Sequence, residues 1–173
     1  MKTIVTGGGG FLGRRLARAL LDRGTVKDGE GRDQPITELA LVDVTGPAAI
    51  SDARVNYVSG DISDPALLKS VVDQSTGAIF HLAAIVSGMA EADFDLGMRI
   101  NVDATRTLLE LCRAAGNRPR IVFTSSVAVF GGDLPSLLSD TNKRTGGRSF
   151  SPMGDASCTS RTRKVRRAAG PFE

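Results

Sequence analysis

Along the first 135 residues, short aliphatic or β-branched runs alternate with stretches whose apolar residues recur every three or four positions. Residues 3–6, TIVT, are the first such run. Residues 13–23, GRRLARALLDR, place Leu16, Ala17 and Leu20 on one face with arginines opposite, which predicts a surface helix. A polar loop containing glycine, aspartate and proline is expected over residues 24–38. Residues 39–42 read as a second buried strand and residues 55–58 as a third.

In DPALLKSVVDQ, Asp64 is the expected N-cap and Pro65 takes the first helical position, where its missing N–H costs nothing. Residues 78–83 read as a fourth strand. Phe94, Met98, Val102, Leu108, Leu109 and Cys112 suit the buried stripe of one longer helix, which Gly116 can end. Residues 120–124 form a fifth strand. Strands alternating with helices in this way predict an α/β fold, a doubly wound parallel sheet with right-handed crossovers.

After Pro135 the pattern stops. Residues 136–173 have no sustained period of two or 3.6 and few large apolar side chains, and are rich in Ser, Thr, Gly and Arg. Such a segment buries too little surface to offset its ordering entropy, so a disordered basic tail is expected. Charge breaks at the same place. Residues 1–139 hold 14 Lys+Arg against 16 Asp+Glu, and residues 140–173 hold 8 against 3. The net charge of +3 therefore comes from the tail.

With 173 residues, 41% of them hydrophobic and 24% charged, the chain suits one globular domain with a sizeable core. No apolar run approaches the roughly 20 residues that span a bilayer, and a strand follows Lys2 directly, so neither a membrane partner nor a secretory signal is expected. Cys112 and Cys158 lack metal-site spacing, so no metal is expected and the cytoplasm is the expected compartment.

Candidate chemistry clusters at the strand ends. TGGGGFLG, residues 6–13, spaces Gly7, Gly10 and Gly13 as G-x-x-G-x-x-G between the first strand and first helix. The chain must turn sharply there, approach a pyrophosphate without side chains, and begin a helix whose free N–H groups face it. The plain alternative is a tight turn; the strand–turn–helix context favours the phosphate. Asp43 ends the second strand, where a carboxylate accepts hydrogen bonds from an adenosine ribose and repels a 2′-phosphate, favouring NAD over NADP. Asp61 and Ile62, after the third strand, suit an adenine ring, Asp61 being otherwise a turn residue. His81, the only histidine, sits in an apolar strand end with no acid or cysteine partner and reads as structural, with Leu82, Ala83 and Ala84 giving a cofactor close access.

TGGGGFLG, LVDV, GDI, FHLAA, RINVDAT and VFTSSVAVFGG, in that order, resemble an extended short-chain dehydrogenase/reductase of the NAD-dependent epimerase/dehydratase group. The resemblance implies a Rossmann-type domain over residues 1–135, incomplete at about five strands, and NAD as cofactor. It assigns Gly7, Gly10 and Gly13, with Phe11 and Leu12, to the pyrophosphate; Asp43 to the adenosine ribose; and Asp61 with Ile62 to adenine. Leu82, Ala83 and Ala84 would line the nicotinamide side, supported by Asn101, with Thr124 and Ser125 beside the nicotinamide ribose. Ser126 would be the catalytic serine that hydrogen-bonds the substrate, and Ser87 is a further candidate for substrate contact. The implied activity is oxidation of a sugar-acid hydroxyl, in a family that commonly forms homodimers.

The sequence departs from that pattern after the serine. Family members place Tyr-x-x-x-Lys some 20 to 30 residues on, the tyrosine taking the substrate proton and the lysine lowering its pKa. Here the single tyrosine is Tyr57, followed by VSGD. Without that pair the alkoxide proton has nowhere to go, and the chain is expected to be inactive as written. The codons of Pro152 and Met153, read one frame away, can encode Tyr-Gly, and the Ala156–Ser157 junction can then supply lysine. A frame-shifted tail is the expectation this raises, and the coding DNA decides it.

Two other readings compete with a truncated dehydrogenase. One is a non-catalytic NAD-binding regulator of the same fold. The other is a nucleic-acid binder working through Arg161, Arg163, Lys164, Arg166 and Arg167. That cluster has no interleaved aromatic residues and reads as a solvated charge run, so no nucleic-acid partner is expected.

Overall fold

The computed structural model describes residues 1–46, 50–126 and 147–150, the last four through their backbone. Strand β1 (Lys2–Thr6) leads through the glycine turn into helix α1 (Phe11–Arg23). A short hairpin, β2 (Thr25–Lys27) and β3 (Asp33–Pro35), precedes β4 (Glu38–Asp43) and β5 (Val55–Ser59). Helix α2 (Pro65–Val71) and β6 (Thr76–His81) follow, then α3 (Ser87–Ala92), α4 (Phe94–Met98), a π turn over Arg99–Asp103, and α5 (Ala104–Ala114). Strand β7 (Arg120–Thr124) closes the parallel part, and β8 (Gly147–Phe150) pairs antiparallel with it.

The main sheet runs β5-β4-β1-β6-β7-β8, its first five strands parallel. The chain winds outward from β1 to β5, returns to the other side of β1 as β6, and winds outward again. The order therefore reverses at β1 and β6, the place where open parallel sheets leave a crevice at their carboxyl ends.

Both faces of the sheet are covered, which is why its central strands read as continuous apolar runs. Val5, Leu39 and Leu41 pack with Ala17, Leu20 and Leu21 of α1. Their neighbours Ile4, Ala40 and Val42 point the other way, onto Leu68 and Val71 of α2 and Leu108 and Cys112 of α5. Helix α2 is capped as its sequence predicts, the Asp64 carboxylate accepting the Ala66 amide at 2.8 Å with Pro65 in the first turn.

Four features differ from the sequence reading. Residues 24–38 are not a plain loop: Val26 and Ile36 of the hairpin enter the core beneath α1. Its turn is held by the Asp28 carboxylate, which accepts bonds from the amides of Glu30 and Arg32 and the side chains of Arg32 and Gln34. Strand β5 is half-buried at the edge rather than buried. The single long helix is broken into α4, the π turn and α5, and Phe94, Met98 and Val102 are exposed. Gly97 and Ala104 are buried in their place, and Asn101 is half-buried, because one extra residue in the π turn rotates the earlier segment relative to the later one. Finally, Gly147–Phe150 of the tail forms β8 on the edge that β7 presents; backbone bonds to an open edge require no apolar periodicity. Cys158, the codon-ambiguous stretch around Met153, and the basic cluster from Arg161 to Arg167 lie outside the described residues.

Candidate functional site: a cavity at the carboxyl edge of the sheet

Between β1 and α1 the backbone turns back within four glycines. Gly7 has a φ of 71°, and the Gly10 amide donates to the Gly7 carbonyl at 3.1 Å. One turn into α1, Gly13 lies so close that a Cβ there would stand 2.1 Å from the same carbonyl oxygen. Only a residue without a side chain lets α1 start against the turn. The Gly8 amide donates to the Val42 carbonyl at 3.2 Å, tying the turn to β4.

Asp43 closes β4 and faces the turn. Its Oδ2 accepts the Gly9 amide at 2.9 Å, and its Oδ1 accepts the Thr45 amide and hydroxyl at 2.9 and 2.8 Å. These bonds fix the carboxylate against the glycine turn. The start of α1 is left open: its N-cap, Gly10, has no side chain to satisfy the first-turn amides, and no acidic residue sits in that turn. Helix α2, capped by Asp64, shows the contrast.

The facing wall comes from the segment after β6. The Leu82 amide donates to the Thr6 carbonyl at 3.2 Å and the Ala83 amide to the Thr6 hydroxyl at 3.2 Å. A Cβ on Gly7 would meet the Ala83 nitrogen at 3.0 Å, so turn and wall touch backbone to backbone. Asn101, in the π turn, clasps Ile85: its Oδ1 accepts the Ile85 amide at 2.9 Å and its Nδ2 donates to the Ile85 carbonyl at 3.0 Å.

Turn and wall enclose a cavity of about 430 Å³. Gly7, Gly10 and Gly13 line it with Phe11 and Leu12, which are 70% and 62% exposed at its rim. Asp43, Asp61 and Ile62 line the adjoining end, and Leu82, Ala83, Ala84 and Thr124 the other. Asp61 also serves its turn, Oδ1 accepting the Ser63 amide at 2.8 Å. Asn101 stands behind the wall rather than on it, and Ser125 and Ser126 are exposed beyond β7, off the cavity lining. The side chain of Ser87 lies outside the described residues.

The sequence reading missed Val42, Val44, Gly60, Ile85 and Ile100. They are ordinary apolar residues or a glycine flanking motif positions, and only adjacency to Asp43, Asp61, Ala84 and Asn101 could have suggested them. Tyr57 lies on β5, at the far edge of the parallel strands from β7, and is not a partner for Ser126 across the sheet. His81 is 2% exposed, and burial holds its imidazole down at about 4, neutral at ordinary pH. Among the described residues, no helix is long and apolar enough to cross a membrane.

Known proteins agree with this geometry. The chain is 58% identical over 140 residues to D-erythronate dehydrogenase of Cupriavidus necator, an alignment covering 81% of this chain and 43% of that protein. FLGRRLARALLDRG, HLAAIVSGMAEADFDLGMRINVDAT and TSSVAVFGG are the stretches that resemble that enzyme within the group. Among solved structures it is similar to a nucleoside-diphosphate-sugar epimerase from Agrobacterium tumefaciens, with 42% identity and a TM-score of 0.66 over 78% of this chain and 40% of that one. It is also similar to a short-chain dehydrogenase/reductase superfamily protein from the same organism with bound NAD, at 30% identity and a TM-score of 0.60, over 80% and 36% of the two chains. The chain spans less than half the length of the D-erythronate dehydrogenases it matches. The resemblance to short-chain dehydrogenase/reductases is thus borne out. A family model matches residues 4–145, and the chain belongs to the 3-beta hydroxysteroid dehydrogenase/isomerase family.

Proposed function

We propose that this chain is the NAD-binding half of a dehydrogenase that oxidises a sugar-acid hydroxyl, and that by itself it binds the dinucleotide without turning substrate over. The observation that carries the reading is the pairing of an uncapped helix start with a carboxylate fixed beside it on the lining of one cavity. The first-turn amides of α1 suit a pyrophosphate, and the Asp43 carboxylate suits a ribose diol while repelling a 2′-phosphate. Ile62 offers an apolar surface for adenine beside Asp61, and the small side chains of Ala83 and Ala84 leave room for the nicotinamide. When bound, NAD supplies the hydride acceptor; the residues of this chain bind and orient it.

The likeness to D-erythronate dehydrogenase supports a sugar acid as the substrate class. Ser126, two residues past the end of β7, is the candidate to hydrogen-bond that substrate. In the family a Tyr-x-x-x-Lys pair handles the substrate proton, and the one tyrosine of this chain, Tyr57 on β5, is followed by VSGD with no lysine four places on. Binding without turnover is therefore the expected behaviour.

Calorimetric titration of the full chain with NAD and NADP tests this. Saturable NAD binding, with NADP weaker, is expected. Asp43→Ala should weaken NAD by about tenfold or more, the ratio that lost charge-assisted hydrogen bonds carry. Absence of saturable binding by the parent chain would sink the reading.

A further inference from the structure

His81 is a buried polar group that cofactor binding does not itself require, and both its ring nitrogens are engaged. Nδ1 lies 2.7 Å from the Thr6 hydroxyl of β1, and Nε2 lies 3.0 Å from the Thr105 hydroxyl of α5. Phe123 of β7 stacks on the ring at 5.8 Å, so the groups bonded to or stacked on the imidazole are all uncharged.

The direction of these bonds follows from their ends. The Thr105 hydroxyl is 2.9 Å from the Asn101 carbonyl oxygen, which can only accept. A hydroxyl has one proton. Thr105 gives it to Asn101 and must therefore accept from His81, which places the ring proton on Nε2. In the neutral ring Nδ1 then accepts, so Thr6 donates to it, and the Thr6 oxygen takes the Ala83 amide. Four bonds run one way: Ala83 amide to Thr6, Thr6 to His81, His81 to Thr105, Thr105 to the Asn101 carbonyl. The Asn101 side chain closes the path by clasping both backbone groups of Ile85. The cavity wall of residues 82–85 is thus held at both ends by one polar path through β1, β6 and α5.

We propose that His81, as the neutral Nε2–H tautomer, is a positioning residue that sets this wall against the glycine turn and so tunes dinucleotide affinity. The affinity part rests on the NAD reading above; the tautomer and the ordering of the wall do not. A second ring proton would make Nδ1 a donor and reverse the bond to Thr6, breaking the direction of the path.

The test uses the full chain labelled with 15N. Long-range proton–nitrogen spectra at pH 7 should show a protonated Nε2 and a bare Nδ1; the opposite tautomer overturns the proposal. Thr105 is off the cavity lining, and T105V keeps its shape while removing both bonds, whereas T105S keeps them. Amide exchange at Ala83 and Ile85 should quicken by about tenfold in T105V, the ratio a lost hydrogen bond carries, and stay near the parent rate in T105S. NAD affinity should fall by a similar factor in T105V alone. Unchanged exchange in a folded T105V overturns the proposal. If the parent binds no NAD, the functional reading fails, while tautomer and exchange still decide the role of His81.

Discussion

Replacing Gly13 by alanine probes the junction on which the cavity is built. In an ordinary helix the change would stabilise by up to about 1 kcal/mol, because glycine is a poor helix former. Here the new Cβ would sit 2.1 Å from the Gly7 carbonyl oxygen and 2.7 Å from the Cα of Gly8. Real Cβ atoms do not approach closer than 3.0 Å, so turn and helix must separate by at least the difference. Both contacts are backbone atoms and cannot rotate aside. The displaced carbonyl is also the acceptor of the Gly10 amide, so the turn loses or stretches its own hydrogen bond. Overpacking of this kind costs about 1–3 kcal/mol and the bond about 1 more, which outweighs the propensity gain and leaves roughly 1–3 kcal/mol of destabilisation. Urea denaturation followed by circular dichroism should show the midpoint falling by about 1 M. The same opening misplaces the first-turn amides of α1, so NAD affinity should drop by about tenfold or more. Gly88→Ala in α3, where nothing lies within 4 Å of the added Cβ, is the control and should leave stability unchanged or raise it by up to about 1 kcal/mol. A G13A protein with an unchanged urea midpoint and unchanged NAD affinity would refute the reasoning.

Two further outcomes follow from buried titratable groups. Burial lowers the His81 pKa from 6.5 to about 4, so below 6.5 the unfolded chain takes up a proton that the folded chain refuses; stability contributed by the neutral ring is complete above 6.5 and is lost as the pH falls toward 4. The loss should reach about 2 kcal/mol by pH 5, and a His81 proton resonance that titrates near 6.5 in the folded chain would contradict it. Burial pushes the Cys112 thiol up to about 11, so in the native protein it should resist a maleimide that labels it fully in urea; peptide mass spectrometry reads the difference, and native labelling of Cys112 would show α5 to be loosely packed.

Much of this protein was legible from local chemistry. The five parallel strands, α1, the Asp64 cap on α2 and the glycine turn arise from interactions within a few residues, where side-chain type and spacing suffice. The same locality explains why twelve residues named from their motifs, from Gly7 to Thr124, line the cavity. Other features depended on what packs against what. Phe94, Met98 and Val102 read as a buried stripe because a regular helix would align them with Leu108; a π turn moves Gly97 and Asn101 into that line instead, and no hydrophobicity pattern selects a glycine and an asparagine. The hairpin within residues 24–38 exists because Val26 and Ile36 find the underside of α1. His81 was recognisable as structural from its lone, apolar setting, but the direction of its hydrogen bonds needed Thr6 and Thr105, which lie 75 and 24 residues away. Sequence alone determined the five parallel strands, α1, α2 and the chemistry their ends present, since these rest on short-range geometry. Only the tertiary structure decided which faces are buried and which polar groups meet, because burial and hydrogen-bond polarity belong to pairs of residues brought together by the sheet.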